Sequence, residues 1–230
     1  MLVGHFALGF AARRIEPAVS VGTTTVAAML ADFAWIGLML LGVEHVTFDP
    51  TVRGAANYIV SSDVSYSHSL LTNLIMAAAF AAIAFAWRHR ARTAWILFTL
   101  VLSHWVLDVV SHAPDMPLAP GTDARFGFGL WRSVPATLVV EGGLWIAAIV
   151  LYLRSTRARG SAASAGFWIG VALLTLIWYD NIAGLSHGDR PNPIASFVVF
   201  GLFVAWAYWI DRARIPRGAR PIADRPLRQT

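Results

Sequence analysis

The amino-acid sequence predicts an all-α integral membrane protein, a bundle of about six transmembrane helices preceded by a short N-terminal half-helix. Three observations lead there. The 230 residues are 57% hydrophobic and only 13% charged, with a mean hydropathy of +0.59. An average soluble domain carries about 25% charge, so this chain has too little polar surface for water. Several apolar stretches approach or exceed the roughly 18–20 residues that cross a hydrocarbon core about 30 Å thick. All 18 basic residues are arginine, and they cluster in alternate segments between those stretches.

The half-helix comes first. Residues 1–12 are apolar but too short to span, and they end at Arg13-Arg14 without a small-residue cleavage site, which argues against a secretory signal. A helix here that dips into the bundle puts His5 near mid-depth, at about 1.5 Å per residue. An interfacial anchor with an incidental histidine is the other reading, and both stay open on the sequence.

Window hydropathy then places six spans near residues 18–43, 66–87, 93–112, 134–153, 166–185 and 195–210. The last is the shortest. Pro193 opens it, and Trp206, Tyr208 and Trp209 near its end suit an interfacial aromatic belt. Fourteen arginines lie in one set of segments: Arg13 and Arg14, then Arg88, Arg90 and Arg92, then Arg154, Arg157 and Arg159, then six from Arg212 to Arg228. The alternate loops hold only Arg53, Arg125, Arg132 and Arg190. The positive-inside rule assigns the rich set to the cytoplasm and, with six spans, both termini as well. Residues 1–212 thus read as the transmembrane domain, and residues 213–230, with Pro216, Pro221 and Pro226, as a basic disordered tail near anionic lipid. The pI of about 10.4 follows from this placement and does not require a nucleic-acid partner; membrane lipid is the expected one.

Chemistry is concentrated in the third span. His104, Asp108 and His112 are spaced four apart and so line one helical face. Ionisable groups at membrane depth are costly and mark an ion path, a proton relay or a bound metal. Asp32, near the middle of the first span, carries an insertion cost of roughly 2.5–3.5 kcal/mol and needs a partner. His68 lies at the outward end of the second span, and Glu141 sits two turns into the fourth beside Gly142 and Gly143, which permit close helix approach. There is no cysteine, so a metal must be held by histidine and carboxylate. His104, Asp108, Asp32 and His68, with His5 if it reaches them, suit zinc or a similar divalent ion that activates water. Asp108 or Glu141 is the candidate for handling the proton, and His112 and Asp115 are candidate outer groups.

At these residues the chain resembles a known family. Gly4-His5-Phe6-Ala7-Leu8-Gly9, Asp32, Ser67-His68-Ser69-Leu70-Leu71 and His104-x-x-x-Asp108 are similar, in this order, to elements of the YdjM-type, LexA-regulated inner-membrane family of metal-dependent hydrolases. The resemblance covers roughly the first half of the chain. The later run from His112 to Leu118, followed by Gly127-Phe128-Gly129-Leu130-Trp131 and a glutamate-bearing helix, resembles a bacterial subgroup. The resemblance implies a divalent-metal site grouped by its motifs with phosphoesterases, with His5, Asp32, His68, His104 and Asp108 as ligands. Where that family often carries Asp-x-Asp, Ala34 follows Asp32, and Asp63-Val64 replaces its His-Arg; fewer ligands imply one metal instead of two.

Other membrane hydrolases fit less well. There is no His-Glu-x-x-His of a site-2-type metalloprotease, and a serine hydrolase finds no support. The His104/Asp108 pair echoes lipid phosphate phosphatases, whose mechanism needs a lysine that this chain lacks. The sequence therefore points to a metal-dependent hydrolase of a lipid or other phosphate ester in a bacterial inner membrane. A metal or proton transporter using the same ligands is the alternative, and a binding bundle with a purely structural polar cluster is a third. A transporter should continue the polar stripe to the arginine-rich side, but residues 93–102 offer only Thr99 after the first.

Overall fold

The computed structural model describes residues 1–48, 59–183 and 192–217. Among them the all-α membrane class holds. Helix α1 (Leu2–Ile15) is followed by α2 (Val21–Ala28) and α3 (Leu30–Leu40), then by a ribbon of β1 (His45–Phe48) and β2 (Ile59–Asp63). Next come α4 (Leu70–Arg88) and α5 (Ala91–Ser111), the short ribbon β3 (Met116–Pro117) and β4 (Arg125–Phe126), and a 3-10 turn at Leu130–Arg132. Helix α6 (Val134–Ser155), strand β5 (Thr156–Ala158), α7 (Ser161–Ala183), α8 (Pro193–Ala213) and strand β6 (Arg214–Pro216) complete the chain. Each ribbon is antiparallel and two-stranded.

Helices α4 to α8 are each long and apolar enough to cross a bilayer, and α2 with α3, bent by 56° at Met29, makes a sixth span if taken as one. The ends follow local chemistry. Ser20, Ser69 and Ser133 cap α2, α4 and α6 by accepting from the backbone N–H three residues on, and Asn192 caps α8 ahead of Pro193. Large apolar side chains such as Trp87, Trp95, Ile146 and Leu202 face outward, as expected where lipid replaces water.

The half-helix settles inside the bundle. Helix α1 packs against α2, α5, α6 and α7, and Val3, His5, Phe6, Ala7 and Phe10 are buried; the interfacial-anchor reading is overturned. Around it, Phe10 meets Trp145, Tyr152 and Trp206, and Phe6 meets Phe203. The close crossing of α1 and α2 depends on Gly9, where a Cβ would lie 2.9 Å from the Thr25 Cα; there Thr24 Oγ1 donates to the Gly9 carbonyl at 2.7 Å.

The arginine-rich segments meet at one end of the bundle. Arg88 donates to the Ala18 carbonyl and Arg92 to that of Ile15, Arg13 pairs with Asp211 at 3.1 Å, and Arg214 donates to Thr156 and lies over the Tyr152 and Phe167 rings. This corrects one expectation: residues 214–216, read as the start of a disordered tail, form β6 against β5. Residues 218–230 lie outside the described residues.

Candidate metal centre

Helix α5 supplies two groups one turn apart, and the other elements bring theirs to it. The bend at Met29 has a local cause. The Ala28 carbonyl accepts from His104 Nδ1 at 2.8 Å, so a side chain takes an acceptor that a continuous helix would use internally, a recognised source of kinks. The same bend sets Asp32 in the first turn of α3, with its Oδ1 3.7 Å from His104 Nε2 and 3.6 Å from His68 Nε2. His68 itself lies in the turn just before α4 and not within the helix. Asn73 secures that turn by donating to the Ser67 and Ser69 carbonyls.

The inward-facing atoms form a tight set. Asp108 Oδ2 lies 3.0 Å from His104 Nε2 and 3.6 Å from His68 Nε2, and the two Nε2 atoms are 3.3 Å apart. Ligands around a tetrahedral ion with bonds of about 2.0–2.1 Å sit about 3.3–3.4 Å from one another, and the observed separations bracket that value. His5 reaches the site: its ring stacks on His104 at 3.7 Å between centroids, and its Nε2 is 3.0 Å from Asp108 Oδ1. The Met1 nitrogen also donates to Asp108 Oδ1. Two ligand groups emerge that could hold a metal ion, His68/His104/Asp108 and His5/Asp32/His104.

Proton positions sharpen the picture. With its Nδ1–H given to Ala28, neutral His104 presents a lone pair at Nε2. For His68, Ser67 Oγ lies 2.6 Å from Nδ1. The Ser67 hydroxyl has one hydrogen, and it donates to Glu44 Oε2 at 2.6 Å. His68 Nδ1 must then be the donor, and its Nε2 also carries a lone pair. When both imidazoles are neutral, their lone pairs face the Asp32 and Asp108 oxygens, an arrangement that accepts a cation. Otherwise the 3.0 Å contact between His104 Nε2 and Asp108 Oδ2 is made with a proton on Nε2, and the Met1 ammonium pairs with the other Asp108 oxygen. Two carboxylates with neutral imidazoles balance a divalent charge, which matters where uncompensated charge is so costly.

The cluster borders a cavity of about 440 Å³. His5, Asp32, His68 and Asp108 line it together with Trp35, Trp131, Trp178 and Phe200. Its walls come from the start of α1 and α8 and the end of α5 and α7, which places it in the arginine-poor half of the bundle. Toward the arginine-rich end, Ala27, Ala77, Leu97, Leu100 and Val101 pack as an apolar cluster below His104.

The remaining expected groups take outer positions. Glu141 lines the cavity, and its Oε1 accepts from Gly4 N at 3.2 Å, in the first turn of α1 where backbone donors lack helical partners. His112 also lines the cavity; its Nδ1 pairs with Asp115 Oδ1 at 3.1 Å and its ring packs on Trp131. Neither His112 nor Asp115 belongs to the two ligand groups. Sequence reasoning gave no role to Glu44, which lies just past the first span, or to Ser67, which it quoted only as the neighbour of His68. It also passed over Trp35 and Trp178, whose indole N–H groups are buried without a hydrogen-bond partner among the described residues. One exclusion needs correcting: residues 184–188 read Gly-Leu-Ser-His-Gly, a Gly-x-Ser-x-Gly spacing outside the described residues. It follows helix α7, whereas a nucleophile elbow follows a strand.

No family model, curated protein or solved structure matches the chain.

Proposed function

We propose that this protein is a membrane-embedded metal-dependent hydrolase acting on a phosphate ester, with a lipid-like substrate favoured. The observation that carries the reading is that His68, His104 and Asp108, and likewise His5, Asp32 and His104, form two overlapping groups able to hold a metal ion beside a cavity. A divalent ion of the zinc type, when bound, supplies Lewis-acid polarisation and acidifies water. Because both ligand groups include His104, one ion per chain is proposed, held by His68, His104 and Asp108 with Asp32 beside the two histidines. The Met1 ammonium bridges His5 Nε2 and the other Asp108 oxygen. Asp108 and Glu141, both lining the cavity, are the candidates to accept a proton.

The cavity supports the substrate class. Its aromatic walls accept an apolar portion, and the free indole donors of Trp35 and Trp178 suit the oxygens of an anionic group. The apolar seal below His104 argues for a one-sided pocket over the transport path that is the alternative. The order of the ligand elements supports membership in the YdjM-type family resembled by the sequence. The arginine-rich end then faces the cytoplasm of a bacterial inner membrane, both termini lie on that side, and the pocket faces the periplasm.

The test is hydrolysis of chromogenic phosphodiesters, phosphomonoesters and lipid phosphates by the purified chain. Turnover is expected to disappear with chelator, return with zinc, and be absent in His104→Ala. A zinc-loaded wild type that turns over none of these esters rejects the hydrolase reading.

A further inference from the structure

We infer that Glu44 is a positioning residue of the metal centre, acting through Ser67 to hold His68 in the tautomer that presents a bare Nε2 to the cluster. The inference rests on the metal reading above and adds a group that the sequence did not single out. Glu44 is buried, 1% exposed, in the segment between α3 and β1. Its Oε1 accepts from the backbone N–H groups of Tyr66 and Ser67, both at 2.8 Å, and its Oε2 accepts from Ser67 Oγ. Among the described residues these short polar contacts all lead to the His68 turn.

The direction of the chain is what matters. A carboxylate only accepts, so the Ser67 hydrogen points to Glu44 and the Ser67 oxygen is left to accept from His68 Nδ1. Nδ1 keeps its hydrogen, and Nε2 keeps its lone pair where His104, Asp32 and Asp108 converge. Histidine ligands elsewhere are oriented in the same way by outer carboxylates or carbonyls. Here His104 uses the Ala28 carbonyl for this purpose, and Glu44 with Ser67 is the counterpart for His68.

Glu44→Gln reverses the chain without changing its shape. The two backbone N–H groups require an acceptor, so the amide oxygen stays on them and the NH2 group replaces Oε2. That group donates to Ser67 Oγ. The Ser67 hydrogen then turns to His68 Nδ1, and the ring hydrogen moves to Nε2, covering the ligating lone pair. Ser67→Ala removes the relay but imposes no reversed tautomer.

Two measurements on the full chain in detergent test this. Nitrogen NMR with histidine-ring labelling, under chelator at alkaline pH where imidazole is neutral, should find the His68 hydrogen on Nδ1 in the wild type and on Nε2 in Glu44→Gln. Zinc titration should show affinity lowered about 10–100-fold by Glu44→Gln and less by Ser67→Ala, with the thermal midpoint of Glu44→Gln near that of the wild type. A purely structural Glu44 predicts the larger loss for Ser67→Ala or equal losses. The inference is overturned if His68 has the same tautomer in both proteins, or if Glu44→Gln binds zinc like the wild type. A wild type that binds no zinc overturns the metal centre itself, a distinct failure because the NMR comparison still decides the hydrogen-bond chain.

Discussion

Asp108→Asn is expected to lower zinc affinity by more than about 100-fold, beyond what loss of an outer group costs, while leaving the fold intact. Asp108 is the hub of the cluster. One oxygen lies 3.0 Å from His104 Nε2 and the other 3.0 Å from His5 Nε2. Asparagine keeps the volume but removes one of the two negative charges that balance a divalent ion, and its NH2 group is repelled by a metal. Under chelator Asp108→Asn also loses its ion pair with the Met1 ammonium, so the thermal midpoint should fall as well. A rise in thermal midpoint on adding zinc that the wild type shows and Asp108→Asn lacks separates a ligand from a merely structural aspartate. Equal zinc affinity in titrations of wild type and Asp108→Asn counts against the site.

The second large effect concerns the half-helix. Phe10→Ala should cost about 3–5 kcal/mol, the range for emptying a buried aromatic site, read from unfolding in detergent. Phe10 is fully buried, with the rings of Trp145, Tyr152 and Trp206 at 5.2–5.6 Å. These contacts hold α1 against the bundle, and α1 carries His5 to Asp108, so zinc affinity should fall as well. Trp87→Ala removes a larger side chain from the outer surface and should cost much less. A Phe10→Ala loss no greater than that of Trp87→Ala shows that α1 is not held as described.

The legible parts of this protein are those governed by solvent. Long apolar runs and alternating arginines report directly on the bilayer, so the spans observed for α4 to α8 lie close to the hydropathy windows. The bend at Met29 was illegible because Ala28-Met29-Leu30 contains neither glycine nor proline; its cause is the imidazole of His104, distant in sequence. The three ribbons escaped notice since short polar connections carry no strong periodicity. Within the site, His104 and Asp108 were legible because a polar pair on an apolar helix face is conspicuous, and Asp32 because its cost in the bilayer demands a partner. His5 could not be placed until α1 was seen to be buried. Glu44 was hidden for a different reason: a glutamate in a loop after a span looks solvated, and only the Ser67 contacts reveal it facing inward.

Metal content tests the central claim most directly. Elemental analysis of the tag-free chain, purified and exposed to zinc and then freed of loosely bound ions, should find about one ion per chain, as one shared His104 nitrogen requires. The same treatment should leave His104→Ala and Asp108→Ala essentially empty. Equal metal in wild type and both variants, whether near zero or near one, contradicts the assignment.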